Sequence, residues 1–257
     1  MVGRIKSGVP APLHRLPDGM RIYALGDVHG RADLLDRAFC CIDAYREDSP
    51  HENDFLILLG DYVDRGPTSR EVLELIISRI GTHRTIPLKG NHEALMLDFL
   101  ENPSVLQTWS RLGGLQTLMS YGLKPSVHPD EKERRELAAH FAHALPSSHR
   151  ALLKALPCSC TCGGFFFAHA GVKPGVPLSE QKEEDLLWIR DEFLRCTEDF
   201  GKIVVHGHTP VPAPEFFANR INIDTGAYAT DQLTCIMIES AEVSILDCAT
   251  CSTRRSN

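Results

Sequence analysis

Five short polar blocks in this 257-residue sequence carry side chains able to do chemistry: Gly26-Asp27-Val28-His29-Gly30, Gly60-Asp61-Tyr62-Val63-Asp64-Arg65-Gly66, Gly90-Asn91-His92-Glu93, His169-Ala170-Gly171 and His206-Gly207-His208-Thr209. Each follows an apolar run. One block alone would be an ordinary turn, since Gly-Asp after a strand and a lone histidine are common without function. Ligand-type residues recurring after successive strands are a different matter. Carboxylate, imidazole and amide oxygen are donors suited to Mn²⁺, Fe or Zn²⁺, and the lack of thiolate among them points away from a structural zinc site and towards a catalytic metal centre. Asp27 and His29, two apart on an extended turn, project to one side and can share an ion while Val28 turns away. Asp61 has lone pairs on both oxygens and can bridge two ions, the second of which can use Asn91, His169 and His208. Two ions ~3.5–4 Å apart lower the pKa of a bridging water and clamp attacking and substrate oxygens together, which suits phosphoester hydrolysis.

Periodicity indicates the elements that must hold these blocks. Arg21 to Leu25 runs as a strand into the first block, and 31–45 follows with Leu34, Leu35, Ala38, Phe39 and Ile42 at helical spacing. Phe55 to Leu59 meets the second block; Pro67 then stands where a first helical turn tolerates proline, and Val72, Leu73, Leu75, Ile76 and Ile77 supply an apolar face. Thr85 to Leu88 meets the third, with a helix from His92 to Leu100. Helical crossovers imply parallel strands whose polar turns gather at their carboxyl ends, the edge where ligand sites collect. Residues 101–157 carry Leu, Ala and charged residues at helical spacing, broken by Gly113-Gly114, Pro125, Pro129 and Pro146, and predict a helical insertion. Beyond 163 the pattern predicts strands at Phe165–His169, Ile203–Val205, Arg220–Ile223, Leu233–Glu239 and Glu242–Leu246, and one helix over 183–194. Nothing resembles a linker, so a single α/β domain over 1–257 is expected.

Composition narrows the function classes. Acidic residues outnumber basic ones by 34 to 27, for a net charge of −7, and the charges are scattered without a long basic run. That excludes a general nucleic-acid binder and disfavours membrane surfaces. The longest apolar runs fall far short of the ~18 residues that span a bilayer. The opening MVGRIKSGVPAPLHRLPDGM lacks the apolar core of a secretory signal, so a cytoplasmic location is expected. Nine cysteines, an odd number in clusters, are expected to be reduced thiols.

The blocks GDVHG, GDYVDRG, GNHE, HAG and HGHT, in that order and spacing, resemble the phosphoprotein phosphatase family within the calcineurin-like metallophosphoesterases, over about residues 20–240. GDYVDRG with GNHE is a highly specific pair. LGGLQTLMSYG at 112–122 and the run from Pro174 through LLWIR to Arg190 are similar to bacterial serine/threonine phosphatases of that family. The resemblance implies an αββα sandwich, two mixed β-sheets flanked by helices. It implies two divalent ions, manganese by analogy with bacterial members, with iron or zinc accepted by the same donors. Asp27, His29 and Asp61 would hold one ion, and Asp61, Asn91, His169 and His208 the other. The bridging hydroxide would attack phosphorus directly, without a phosphoenzyme. His92 would protonate the leaving alkoxide, Asp64 would keep its imidazole in the donating state, and Arg65 and Arg190 would bind phosphate oxygens, with Asn91 also near the substrate. Tyr228, in IDTGAYA, falls where eukaryotic members carry a tyrosine over the site. Asp27, Asp61 and Asp64 outweigh the two arginines, so this pocket turns cationic only with its metals.

Other readings compete at several positions. Arg190, beside Asp191 and Glu192, also fits a solvated helix arginine. His208 is favoured over His206 as ligand because it stands between Gly207 and Thr209. His140, His143 and His149 are expected at the surface. Cys158, Cys160 and Cys162 with Cys248 and Cys251 form a structural zinc site only if the tail folds back, and surface thiols are the preferred reading. At the level of function, a phosphoprotein or small phosphoester is the expected substrate. The rivals are a dinucleoside polyphosphate (diadenosine tetraphosphate) hydrolase and an inactive metal-binding module. Neither nucleic acid nor membrane is expected as a partner.

Overall fold

Alternating side chains along the strands divide the core into layers. The structure, a computed structural model, describes residues 4–6 and 14–248. In β2 (Arg21–Leu25) and β3 (Asp54–Leu58), which follow the short β1 (Arg4–Lys6), Ile22, Ala24 and Ile57 pack with Phe165, Phe167, Val205 and Ile221 of a facing sheet. The alternate residues Tyr23, Leu25, Leu56 and Leu58 pack instead with Leu35, Phe39, Val72 and Ile76 of helices α1 (Ala32–Asp48) and α2 (Ser69–Thr82). A third cluster, in which Phe166, Ala168 and Val204 meet Val172, Leu186 and Phe193, covers the far side of the second sheet. The architecture is therefore α/β, two sheets face to face with helices outside, as the αββα expectation has it.

The first sheet runs β1-β11-β10-β2-β3-β4, where β4 is Thr85–Pro87, β10 is Cys235–Glu239 and β11 is Glu242–Leu246. The β2, β3 and β4 strands are parallel, in the register Leu25↔Leu58↔Pro87, so their carboxyl ends lie side by side. β10 pairs antiparallel with β2 and makes the sheet mixed. The second sheet runs β5-β6-β7-β9-β8, from Ser159–Cys162, Phe165–Ala168, Ile203–His206, Arg220–Asn222 and Glu215–Phe216 respectively. Its central strands β6, β7 and β9 are parallel, and its two edges are antiparallel. Predicted strand limits agree within two residues throughout.

Three sequence readings need correction. The helix expected over 183–194 is two, Glu183–Trp188 and Asp191–Leu194, because Ile189 turns extended (ψ 143°) and Arg190 follows it out of the helical region. The cysteine-rich stretch is itself strand β5, turned back on β6 through Gly163-Gly164, with Gly163 at φ 53°. Cys160 and Cys162 pack against the inter-sheet core, so they are half-buried thiols rather than surface ones, and burial pushes the Cys160 thiol up to about 12. None of the described cysteines joins a group of metal-donor side chains, and Cys251 lies outside the described residues. His149 is buried, with its Nδ1 2.7 Å from the Tyr121 hydroxyl; His140 and His143 are exposed.

The 101–157 region is helical, chiefly Leu106–Trp109, Gly114–Ser120, Glu131–Ala144 and Ser147–Ala155. Its Trp109, Leu118, Phe141 and Leu153 share one cluster with Val72 and Ile76, and with Phe99 of helix α3 (Asn91–Glu101). No helix among the described residues is long and apolar enough to cross a membrane.

Candidate metal centre

Strands β2, β3 and β4 end at the first three blocks, and β6 and β7 deliver the last two from the facing sheet. Backbone bonds join the first two: Val28 and His29 N–H donate to the Asp61 carbonyl at 3.0 and 2.8 Å, and Gly66 N–H donates to the His29 carbonyl at 3.1 Å. The turns hold His29 (φ 45°), Asp61 (51°), Asp64 (74°), Arg65 (66°) and His208 (65°) in the left-handed region, five of the seven non-glycine residues described there. Each such conformation costs on the order of 1 kcal/mol and persists only where the surroundings over-determine it. Gly60 (φ 100°) has no room for a side chain, since an added Cβ would lie 2.7 Å from the Gly90 nitrogen.

The donor atoms converge as two clusters that share Asp61. His169 Nδ1 donates to the Leu59 carbonyl at 2.9 Å, which leaves Nε2 as a lone pair. That Nε2 lies 2.9 Å from Asn91 Oδ1, 3.1 Å from His208 Nδ1 and 3.3 Å from Asp61 Oδ1. On the other side His29 Nδ1 donates to the Val63 carbonyl at 2.9 Å, and its Nε2 faces Asp61 Oδ2 at 3.5 Å. Lone pairs thus point at lone pairs inside a buried pocket, an arrangement that one proton satisfies only in part and a cation satisfies fully. The residues present therefore fit divalent ions. Asp27 is buried beside the clusters rather than inside them, and its carboxylate accepts the His208 N–H at 3.1 Å.

Electrostatics agree with a site that demands positive charge. Burial alone would lower the His169 pKa, but the Asp61, Asp27 and Glu93 carboxylates push it up to about 10. Burial, with Asp224 alongside, holds Asp27 well above the usual carboxylate range. Burial lowers His29 to about 3, against the pull of Asp61. His206 is likewise lowered to about 3 by burial, and its ring packs 4.9 Å from Phe193, away from the clusters.

His92, which shares the first donor cluster with His29 and Asp61, is also half of a pair with Asp64. His92 Nδ1 is 2.6 Å from Asp64 Oδ2, while His92 Nε2 points to the centre, 3.6 Å from Asp61 Oδ2. Burial opposes the charged imidazole, yet Asp61 and Asp64 raise the His92 pKa above its ordinary value. At the rim, the Arg65 guanidinium lies over the Tyr228 ring at 4.7 Å, and that ring meets His29 edge-on at 5.5 Å. Arg190 is exposed and donates to Thr209 Oγ1 at 3.3 Å, in the loop that follows His208. The expected metal ligands, the Asp64–His92 pair, Arg65, Tyr228 and Arg190 therefore gather where β2, β3, β4, β6 and β7 end.

Four side chains take part in ways that the sequence reading does not assign. Glu93 is fully buried, and its carboxylate accepts the N–H groups of Asp61 (2.9 Å), Tyr62 (2.7 Å), Val63 (3.3 Å) and Gly90 (2.9 Å), so it ties the second block to the third. Its place three residues after the helix N-cap was the available signal. Trp109 and Thr117 bond to Asp64 from the 101–157 region, and Trp188 meets His208 edge-on at 6.3 Å. Nothing local in the sequence marks these three.

A family model for calcineurin-like phosphoesterases matches residues 20–235. The asymmetrical bis(5'-nucleosyl)-tetraphosphatase PrpE of Anoxybacillus flavithermus is 27% identical, over 85% of this chain and 90% of its own length. The serine/threonine-protein phosphatase 2 of Salmonella typhimurium is 29% identical, over 85% and 93% respectively. The solved structure of a cold-active protein-tyrosine phosphatase from a psychrophilic Shewanella superposes with a TM-score of 0.56 over 92% of this chain and 82% of that one, at 15% identity, a likeness of fold alone.

Proposed function

We propose that this chain, which belongs to the calcineurin-like phosphoesterase family, is a metal-dependent phosphomonoesterase of the serine/threonine protein phosphatase type that acts in the cytoplasm. The observation that carries this reading is the buried Asp64–His92 pair, with His92 Nδ1 2.6 Å from Asp64 Oδ2 and Nε2 turned to the centre. A serine or threonine alkoxide is a poor leaving group and needs a proton as the ester bond breaks; a nucleotide phosphate leaves readily without one. A dedicated acid therefore favours phosphomonoesters of alcohols.

Asp27, His29 and Asp61 would hold one divalent ion, and Asp61, Asn91, His169 and His208 the other, with manganese the native metal by analogy with bacterial relatives. When bound, the two ions supply a water acidic enough to be a nucleophile at neutral pH and polarise the phosphoryl oxygens. Arg65 and Arg190 fork onto the remaining phosphate oxygens, Arg65 offsetting the charge that grows on them and the exposed Arg190 chiefly holding the bound phosphate. Tyr228 supports the Arg65 guanidinium from below, consistent with their 4.7 Å stacking. His92, held by Asp64, delivers its Nε2 proton to the departing oxygen.

A second reading, a dinucleoside tetraphosphate hydrolase, is favoured by the 27% identity to such an enzyme over 85% of the chain. Purified protein with Mn²⁺, Fe²⁺ or Zn²⁺, offered a phosphoserine peptide and diadenosine tetraphosphate in parallel, separates the two. Turnover of the phosphopeptide is the expected outcome, and exclusive cleavage of the dinucleotide would replace the first reading with the second.

A further inference from the structure

The Asp64 carboxylate has more partners than an acid–base dyad requires. Its Oδ2 accepts from His92 Nδ1 and from Trp109 Nε1, both at 2.6 Å, and its Oδ1 accepts from Thr117 Oγ1 at 2.6 Å. Thr117 Oγ1 also receives the Asp64 backbone N–H at 2.9 Å, so one hydroxyl grips both ends of a residue held at φ 74°. The two outer donors are themselves immobile. Trp109 is fully buried, with Phe99 at 5.2 Å and Phe141 at 6.2 Å, and Gly114 lies so close to the indole that any Cβ there would collide with it.

We propose that Trp109 and Thr117 are positioning residues for the reaction: they clamp the Asp64 carboxylate so that His92 keeps its ring plane, its tautomer and an Nε2 proton aimed at the leaving oxygen. This rests on His92 being the acid. The torsion that turns a carboxylate about its own axis is broad and weakly restrained, so one hydrogen bond to an imidazole does not fix it. Three donors from three directions do. The imidazole tautomer follows from the bond at its other nitrogen, so a carboxylate that cannot swing also fixes where the transferable proton sits. In consequence the 101–157 helices form part of the catalytic apparatus, because Trp109 and Thr117 both come from them.

Leaving-group dependence is the test, because a proton donor matters for a poor leaving group and hardly at all for a good one. The metal-loaded protein is assayed on phenyl phosphate and on p-nitrophenyl phosphate. His92→Asn, the reference, should lose roughly 10²–10⁴-fold in kcat on phenyl phosphate and far less on the nitrophenyl ester. Trp109→Phe, which keeps an aromatic ring and deletes the donor, should lose about ten-fold on phenyl phosphate and under about three-fold on the other, with KM unchanged on both. Thr117→Val preserves shape and should show the same bias on a smaller scale, which keeps the test valid if the tryptophan variant folds poorly. In the His92→Asn background either change should cost nothing more. Equal losses on both esters, or losses that persist in that background, would overturn the inference and leave only a structural role. A His92→Asn variant with no leaving-group bias would instead remove the acid assignment itself.

Discussion

The end of the proposed site that holds Asp64 and His92 and the end that holds Arg190, the acid end and the phosphate end of the proposal, are built in opposite ways. At the acid end Asp64, His92 and Trp109 are all buried, and the hydrogen bonds to Asp64 from His92, Trp109 and Thr117 are each 2.6 Å long. At the phosphate end Arg190 is exposed on one 3.3 Å bond, and the flanking rings of Trp188 and Tyr228 are 40% and 41% exposed. The first end is preorganised for delivering a proton to a poor leaving group. The second is open and lightly tethered, a looser hold for a phosphate group. Rigid proton delivery and looser phosphate capture are thereby separated in space.

That contrast can be broken from its rigid end first. Asp61→Asn, which strips charge from the carboxylate common to both donor clusters, should reduce turnover on the order of 10⁴-fold and lower the bound metal per chain, measured by elemental analysis. Normal metal content with normal turnover would refute the shared-ligand role. Glu93→Gln turns one of the two acceptor oxygens into a donor, leaving two of the four backbone N–H groups without an acceptor, and should cost about 2–4 kcal/mol of stability, read from chemical denaturation. A smaller loss would show that the two turns hold without it.

The open end should respond in KM instead. Arg190→Ala should raise KM about ten-fold while kcat falls much less; equal losses in both would place Arg190 with the rigid group. Smallest of all, Tyr228→Phe keeps the ring beneath Arg65 and should change kcat/KM less than about two-fold, whereas Tyr228→Ala should cost about three- to five-fold. If the two variants lose equally, the hydroxyl rather than the stacked ring is what matters.

The sequence exposed one end of the cleft better than the other. Strands β2, β3 and β4 and the helices after them are local patterns, and the blocks at their ends follow from the βα repeat. Trp109 and Thr117 meet Asp64 from 45 and 53 residues away, and in the sequence they look like any helix core residue. His149 was misplaced for a related reason: its burial depends on Tyr121, 28 residues distant, and not on the Ala-rich composition around it. The break at Ile189–Arg190 carries no Gly or Pro to mark it, so the helical spacing on either side reads as continuous. Glu93 was visible as part of a motif, but its four-way bonding requires two turns to meet in space.

Asp61 belongs to both donor clusters, of which one lies wholly on the first sheet and the other spans both. Residues 27–92 can assemble His29, Asp61, Asn91 and His92 on their own three strands, whereas His169 and His208 arrive only when β6 and β7 dock across the sandwich. A nascent chain therefore owns half a centre long before it owns the whole. Occupancy of the second position would then work as a receipt for completed docking, because an ion held by Asp61, His169 and His208 would rivet the two sheets together at their shared edge.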